Sequence, residues 1–146
     1  MSDKRFFDTN VLVYACDSTD LGKQAISLQL IAEAAASGSG VLSVQVLGEF
    51  FHAVVVRRRL LTASEAEGII RAYRPVFPVV NVDFDLVCAA TRIHRRFQLR
   101  YWDSLIVAAA RLGGCAQILS EDLNHGQDYD GVTVSNPFRG GVAGTP

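Results

Sequence analysis

Short apolar runs alternate along the chain with longer stretches of helical spacing. Arg5–Phe7 is the first run, and the D-T-N that follows reads as a strand-to-helix turn in which Asp8 or Thr9 caps a helix through Val11–Ala15. Leu21, Ala25, Leu28 and Ile31–Ala32 recur at helical spacing and predict a helix over Leu21–Ser37, closed by S-G-S-G. V-L-S-V then reads as a short buried strand. From Gln45 to Arg58 the rhythm is helical again, with Leu47, Phe50, Phe51, Val54 and Val55 on one face.

T-A-S-E-A-E-G opens another helix, with Thr62 or Ser64 as its cap and acids in its first turn. V-F-P-V-V-N-V is β-branched and predicts a strand, after which Asp83 or Asp85 starts a helix through Arg96. Y-W-D-S-L-I-V-A-A-A-R-L-G-G predicts an apolar helix closed by Gly113 and Gly114. C-A-Q-I-L-S-E-D is a strand running into an acidic loop, and G-V-T-V-S-N-P-F a final short strand. Strands separated by helical segments imply a mostly parallel sheet covered on both faces, a three-layer α/β/α sandwich. The expectation is one domain over residues 1–138, with residues 139–146 as a frayed tail.

The length, 146 residues, suits one domain, and an apolar fraction of 49% supplies a large core with surface to spare for a partner. A net charge of −1 argues against gripping nucleic acid by bulk electrostatics, yet leaves room for a local basic patch. Cys16, Cys88 and Cys115 lie far apart with no C-x-x-C pair, which points to reduced core thiols in a cytoplasmic protein. Asp8 and Asn10 interrupt what would be the apolar segment of a signal peptide, and no uninterrupted apolar run is long enough to span a membrane.

Four carboxylates stand in unusual surroundings. Asp8 follows the first strand and Asp122 the Q-I-L-S strand, so both are expected at the carboxyl edge of the sheet, where open α/β sheets bind ligands. Glu49 and Asp103 lie on helices that are apolar nearly all round. Each has an ordinary reading. Asp8 suits a helix cap, Asp103 a helix-dipole acid, Glu49 a buried pair with an arginine, and Asp122 a solvated loop beside Glu121. Together they need four separate excuses. Two carboxylates about 4 Å apart repel by roughly 4 kcal/mol at an effective dielectric of about 20. A divalent cation removes that conflict, and all-oxygen ligation selects Mg²⁺ or Mn²⁺ over zinc. The chemistry that follows is metal-assisted phosphodiester cleavage.

F-F-D-T-N-V-L-V-Y-A, L-G-E-F-F-H-A, Y-W-D-S-L-I-V-A-A-A and L-S-E-D-L-N-H-G-Q, in this order and spacing, resemble the PIN-domain ribonucleases, above all the VapC-type toxins of bacterial toxin–antitoxin pairs. The resemblance runs from Phe6 to Phe138. It implies a PIN-like fold and places the family's catalytic, metal-binding acids on Asp8, Glu49, Asp103 and Asp122, with Glu121 outside the set. Asn10 matches an amide that orients the first acid, with Thr9 and Ser120 expected beside it. The implied activity is a Mg²⁺- or Mn²⁺-dependent endoribonuclease leaving a 5′-phosphate and a 3′-hydroxyl on tRNA or ribosomal RNA. The implied partners are a small antitoxin and a second copy of the chain in a homodimer.

Two basic clusters are available to attract RNA, Arg57–Arg59 and the group Arg92, Arg95, Arg96 and Arg100, the latter beside Tyr101 and Trp102. The ordinary reading of either is a solvated helix face, as for most charge runs. His52, His94 and His125 show no ligand spacing, and His125 is expected nearest the site because it follows Asp122 closely. A receiver domain or a dehalogenase-type phosphatase requires a late lysine, whereas the only lysines are Lys4 and Lys23. No phosphate-binding glycine loop is present. The remaining rival is a catalytically inactive PIN-like module that binds RNA or protein.

Overall fold

The structure, a computed structural model, describes residues 2–139; the expected tail lies, Arg139 apart, outside the described residues. The chain runs β1 (Arg5–Phe7), α1 (Thr9–Tyr14), α2 (Leu21–Ser37), β2 (Gly40–Ser43) and α3 (Val44–Phe51). A π-helical turn (His52–Arg57) leads to α4 (Ala63–Tyr73), β3 (Val79–Val80), α5 (Phe84–Phe97) and α6 (Tyr101–Leu112). The strands β4 (Gln117–Leu119), β5 (Asp128–Tyr129) and β6 (Val132–Ser135) complete it.

The strands form one sheet in the order β3-β2-β1-β4-β6-β5, parallel except for β5. Phe6, Phe7, Val41, Leu42, Ile118 and Leu119 are buried in its central strands, as a sheet covered on both faces requires. The chain leaves β1 toward β2 and β3, then returns to build β4 and β6 on the other side of β1. That reversal puts a topological switch point at the carboxyl ends of β1 and β4, where α/β sheets open a crevice. Asp8 and Asp122 follow those two strands.

Several local choices are settled by hydrogen bonds. Thr62 caps α4 in a reciprocal capping box, donating its backbone N–H to Glu65 Oε1 (2.9 Å) and accepting from the Glu65 N–H (3.1 Å). Asp83 caps α5 by accepting from the Leu86 N–H at 2.9 Å. At Gly40 a β-carbon would meet Phe77 Cε1 at 2.6 Å, so only glycine admits that ring against the start of β2.

Three expectations change. The single helix over Gln45–Arg58 is split, because after Phe51 the backbone widens into π-type bonds such as Arg58 N–H to Ala53 O. The long V-F-P-V-V-N-V strand shrinks to Val79–Val80, since Phe77 turns into the core and Pro78, having no N–H, confines pairing to a sheet edge. The acidic loop after β4 contains β5, joined to β6 by Asp130 and Gly131 with φ of 54° and 104°. A D-G pair with both φ positive is the two-residue turn that fits the twist of a hairpin.

Candidate active site

Four elements deliver the four acids to one place. Asp8 leaves the end of β1, Asp122 sits in the loop after β4, α3 carries Glu49, and the first turn of α6 carries Asp103. All four, with Thr9 and Asn10, line one hollow of about 740 Å³.

Asp8 is only 7% exposed, and Ser120 beneath it is fully buried. Ser120 Oγ donates to Asp8 Oδ2 (2.6 Å) and accepts from the N–H groups of Asp122 (3.1 Å) and Leu123 (3.2 Å). One hydroxyl thus fixes the first acid and the backbone of the fourth. Asn10 Nδ2 donates to Asp8 Oδ2 (3.4 Å) and to Asp122 Oδ2 (3.3 Å), while its Oδ1 accepts from the Glu121 N–H (3.1 Å). The amide orientation follows from that pattern: a backbone donor needs the oxygen, and two carboxylates need the nitrogen. Asp8 also accepts from the Thr9 N–H at 2.8 Å, so it caps α1 as well as facing the hollow.

Burial pushes the pKa of Asp8 up to about 6, opposed by its hydrogen bonds from Ser120 and Thr9 and reinforced by the charges of Asp122 and Glu49. Thr9 Oγ1 donates to Glu49 Oε1 (2.6 Å), and Gln45 Nε2 to Glu49 Oε2 (3.1 Å). Asp103 Oδ2 accepts from Arg100 Nε at 3.1 Å. Glu121, adjacent to Asp122, is taken up differently: its carboxylate is paired with Lys23 and accepts from Tyr14 Oη at 2.6 Å. Its charge is neutralised at the rim.

The donor set suits a hard divalent cation. With Glu121, which also lines the hollow, taken up by Lys23, it consists of four carboxylates and no thiolate, and burial holds its most buried member, Asp8, back from ionising. Among the described residues, no three acidic, histidine or cysteine side chains close on a single point as they stand. Each acid is instead held by a donor of the chain itself.

The basic residues are distributed differently from the expectation. Of the group Arg92, Arg95, Arg96 and Arg100, only Arg100 lines the acidic hollow. Arg92 and Arg96 line a second hollow of about 510 Å³ between α5 and α6, where Arg96 pairs with Asp130 at 2.9 Å, and Arg95 lines neither. Arg57 and Arg58, carried out of the π-helical turn, share the acidic hollow instead. Arg58 is pinned by Asp17, whose carboxyl is held at about 2 by hydrogen bonds from Thr19 and Arg58. His125 stands away from the hollow, accepting from the Asn136 N–H at 3.0 Å through Nδ1, and the histidine that lines it is His52. Gln45, Glu49 and His52 are spaced three to four residues apart, roughly one helix face, and that spacing is the sequence signal that marks Gln45 and His52.

The fold and the hollow together define a doubly wound α/β domain with a four-carboxylate site at its switch point. A family model for the PIN domain matches residues 5–127, and the chain belongs to that family. No curated protein matches it. Among solved structures it is similar to VapC20 of Mycobacterium tuberculosis, a sarcin–ricin loop cleaving toxin, at 23% identity and a TM-score of 0.64, over 82% of this chain and 92% of that one. It is similar also to DNA-bound VapBC of Salmonella typhimurium at 12% identity and a TM-score of 0.65, over 91% and 97% of the two chains. VapBC2 of Rickettsia felis, bound to a promoter DNA fragment, matches at 11% identity and a TM-score of 0.66, over 90% and 96%. At these identities the likeness establishes the fold.

Proposed function

We propose that this chain is a metal-dependent endoribonuclease acting as the toxin of a toxin–antitoxin pair, with Asp8, Glu49, Asp103 and Asp122 as its catalytic and metal-holding residues. One observation carries the reading: four carboxylates from four separate elements line one hollow at the switch point, with the most buried held back from ionising. Asp8, Glu49, Asp103 and Asp122 would hold a Mg²⁺ or Mn²⁺, which would supply activation of a water for attack on phosphorus and neutralisation of charge on the leaving oxygen.

The chain's own residues do the rest. Ser120 and Asn10 hold Asp8 and Asp122 at a fixed separation, so the two acids need no reorganisation to act together. Thr9 and Gln45 aim Glu49 from both of its oxygens. Arg100 is exposed, and an exposed ion pair is worth about 0–1 kcal/mol, so Asp103 turns from it into the hollow at little cost. Arg57 and Arg100 at the rim offset the repulsion between an acidic floor and a polyanion. The products carry a 5′-phosphate and a 3′-hydroxyl.

The substrate class is structured cellular RNA, tRNA or ribosomal RNA; the cleavage of the sarcin–ricin loop by VapC20 supports the ribosomal choice. The partner is a small antitoxin protein, supported by the VapBC complexes of the same fold, and the toxin acts as a homodimer in the cytoplasm. No described helix is long and apolar enough to cross a membrane.

The test is cleavage of a panel of tRNA and ribosomal RNA with Mg²⁺ or Mn²⁺, with EDTA, and with Asp8→Asn. Cutting is expected only with metal and with Asp8 intact. Metal-independent cutting, or full activity in Asp8→Asn, sinks the mechanism. Tight RNA binding with no turnover under any condition favours the inactive binding module.

A further inference from the structure

Trp102 is the single tryptophan of the chain and is 62% exposed. Indole rings are large, mostly apolar and on average well buried, and this one is open to a partner within a hollow lined by charged groups. Among the described residues it is the only strongly exposed large apolar side chain lining the acidic hollow. It stands in the first turn of α6, one residue before Asp103.

Its position is built. The Trp102 carbonyl accepts from Gln45 Nε2 at 3.2 Å, and the same nitrogen donates to Glu49 Oε2 at 3.1 Å, which ties the indole's backbone to one of the four acids. The Tyr101 ring packs against the indole edge-to-face, with centroids 4.9 Å apart and planes at 77°. The aromatic surface is therefore held beside two carboxylates while most of its area stays open. Arg57 and Arg100 line the same hollow, placing phosphate-seeking charge around it.

Resting on the reading of this hollow as the site of RNA cleavage, we propose that Trp102 is a stacking platform for an unpaired nucleobase beside the scissile phosphate, and that it selects unstacked, single-stranded RNA over duplex. A base inside an A-form helix has both faces covered by its neighbours, so only a splayed base presents a π face to the indole. Every base has such a face, so the platform discriminates by RNA structure and tolerates sequence. Base identity is left to other contacts.

Because Trp102 is the sole tryptophan, its emission reports on this one ring. The full chain carrying Asp8→Asn, kept in EDTA to prevent cutting, is titrated with an unpaired oligoribonucleotide and with the same strand annealed to its complement. The single strand is expected to quench the emission and the duplex to leave it nearly unchanged. In the same background, Trp102→Ala is expected to weaken single-strand binding about tenfold by anisotropy of labelled RNA, with Trp102→Phe restoring most of it. The slope of log affinity against log salt stays constant across the three, because stacking releases no phosphate counterion. With Asp8 restored, Trp102→Ala keeps the thermal shift on adding Mn²⁺, a sign that the acids are undisturbed.

Equal quenching by duplex overturns the proposal, as does unchanged RNA affinity in Trp102→Ala. If that variant instead alters only the sedimentation mass, the indole is a contact between protein copies and the proposal fails. The two readings separate cleanly. RNA cleavage by the native chain with flat Trp102 emission removes the platform and keeps the nuclease; single-strand quenching without cleavage does the reverse.

Discussion

Ser120 Oγ lies 2.6 Å from Asp8 Oδ2 and joins the ends of two adjacent parallel strands through one buried hydroxyl. It donates to the carboxylate that follows β1 and accepts from two N–H groups of the loop that follows β4. Ser120→Ala leaves those buried donors and the carboxylate without their partner, at a cost of about 1–3 kcal/mol. It also removes the largest influence holding the Asp8 pKa down, so Asp8 ionises less readily still. Urea unfolding should show the lost stability, and calorimetry a Mn²⁺ affinity below that of the native chain, by more at pH 6 than at pH 8. A variant with wild-type stability and wild-type Mn²⁺ affinity contradicts the assigned role.

Asp8 makes the metal-free protein's stability depend on pH with an unusual sign. Its pKa rises from 3.8 to about 6 on folding, so between those values the native state binds more protons than the unfolded one. Stability therefore falls as pH rises from about 4 to about 6, by at most about 3 kcal/mol, because each pH unit crossed between the two values costs about 1.4 kcal/mol. Asp17 has the opposite sign, and its contribution is lost only as pH falls from about 4 through about 2, outside that window. In EDTA, urea midpoints taken across pH 4.5–7 should decline in the native chain and flatten in Asp8→Asn, since asparagine still caps α1. The same variant should melt higher without metal and lose the stabilisation that Mn²⁺ brings. A marked drop in its metal-free melt shows instead that the Asp8 carboxylate stabilises the native state, and contradicts the sign of this pH dependence.

The acids were legible in the sequence because charge is conspicuous where a core needs apolar side chains. Asp8, Glu49 and Asp103 interrupt apolar runs, and those runs also specify the strands and helices that bring the acids together. What escaped was set by neighbours distant in the chain. Arg92 and Arg96 share a helix face, but only the packing of α5 on α6 decides that the face opens on a second hollow. The widening after Phe51, which brings Arg57 and Arg58 to the rim, has no periodic signature. The β5–β6 hairpin did have one, the D-G pair at Asp130–Gly131, hidden within a stretch that reads as polar loop.

Glu121 and Asp122 are adjacent in sequence yet should behave oppositely. Glu121 is satisfied by Lys23 and Tyr14 at a partly exposed pair, so Glu121→Gln is expected to cost no more than about 1 kcal/mol and to leave cleavage within a few-fold of the native rate. Asp122→Asn keeps the shape, and its own N–H to Ser120, but removes a charge from the hollow. Its cleavage rate should fall at least about 100-fold. Parallel measurements of rate and unfolding on the two variants decide the assignment. Loss of activity in Glu121→Gln at full stability moves the fourth acid to Glu121.

Arg100 is the member of its basic cluster that reaches the acidic hollow, and it differs from Arg92 and Arg96 in a measurable way. If it meets RNA phosphate, Arg100→Ala should weaken RNA binding and lower the slope of log affinity against log salt by about 0.7 for a single strand. Arg92→Ala and Arg96→Ala should leave both quantities unchanged. The Arg100 variant also frees Asp103 from its ion pair, so Mn²⁺ affinity should hold steady or rise while RNA affinity falls. That divergence separates a substrate contact from general damage to the site, because a misfolded hollow loses both. Equal salt slopes in all three variants, measured on a chain that cannot cut, remove Arg100 from the RNA path and leave Arg57 as the basic residue of the rim.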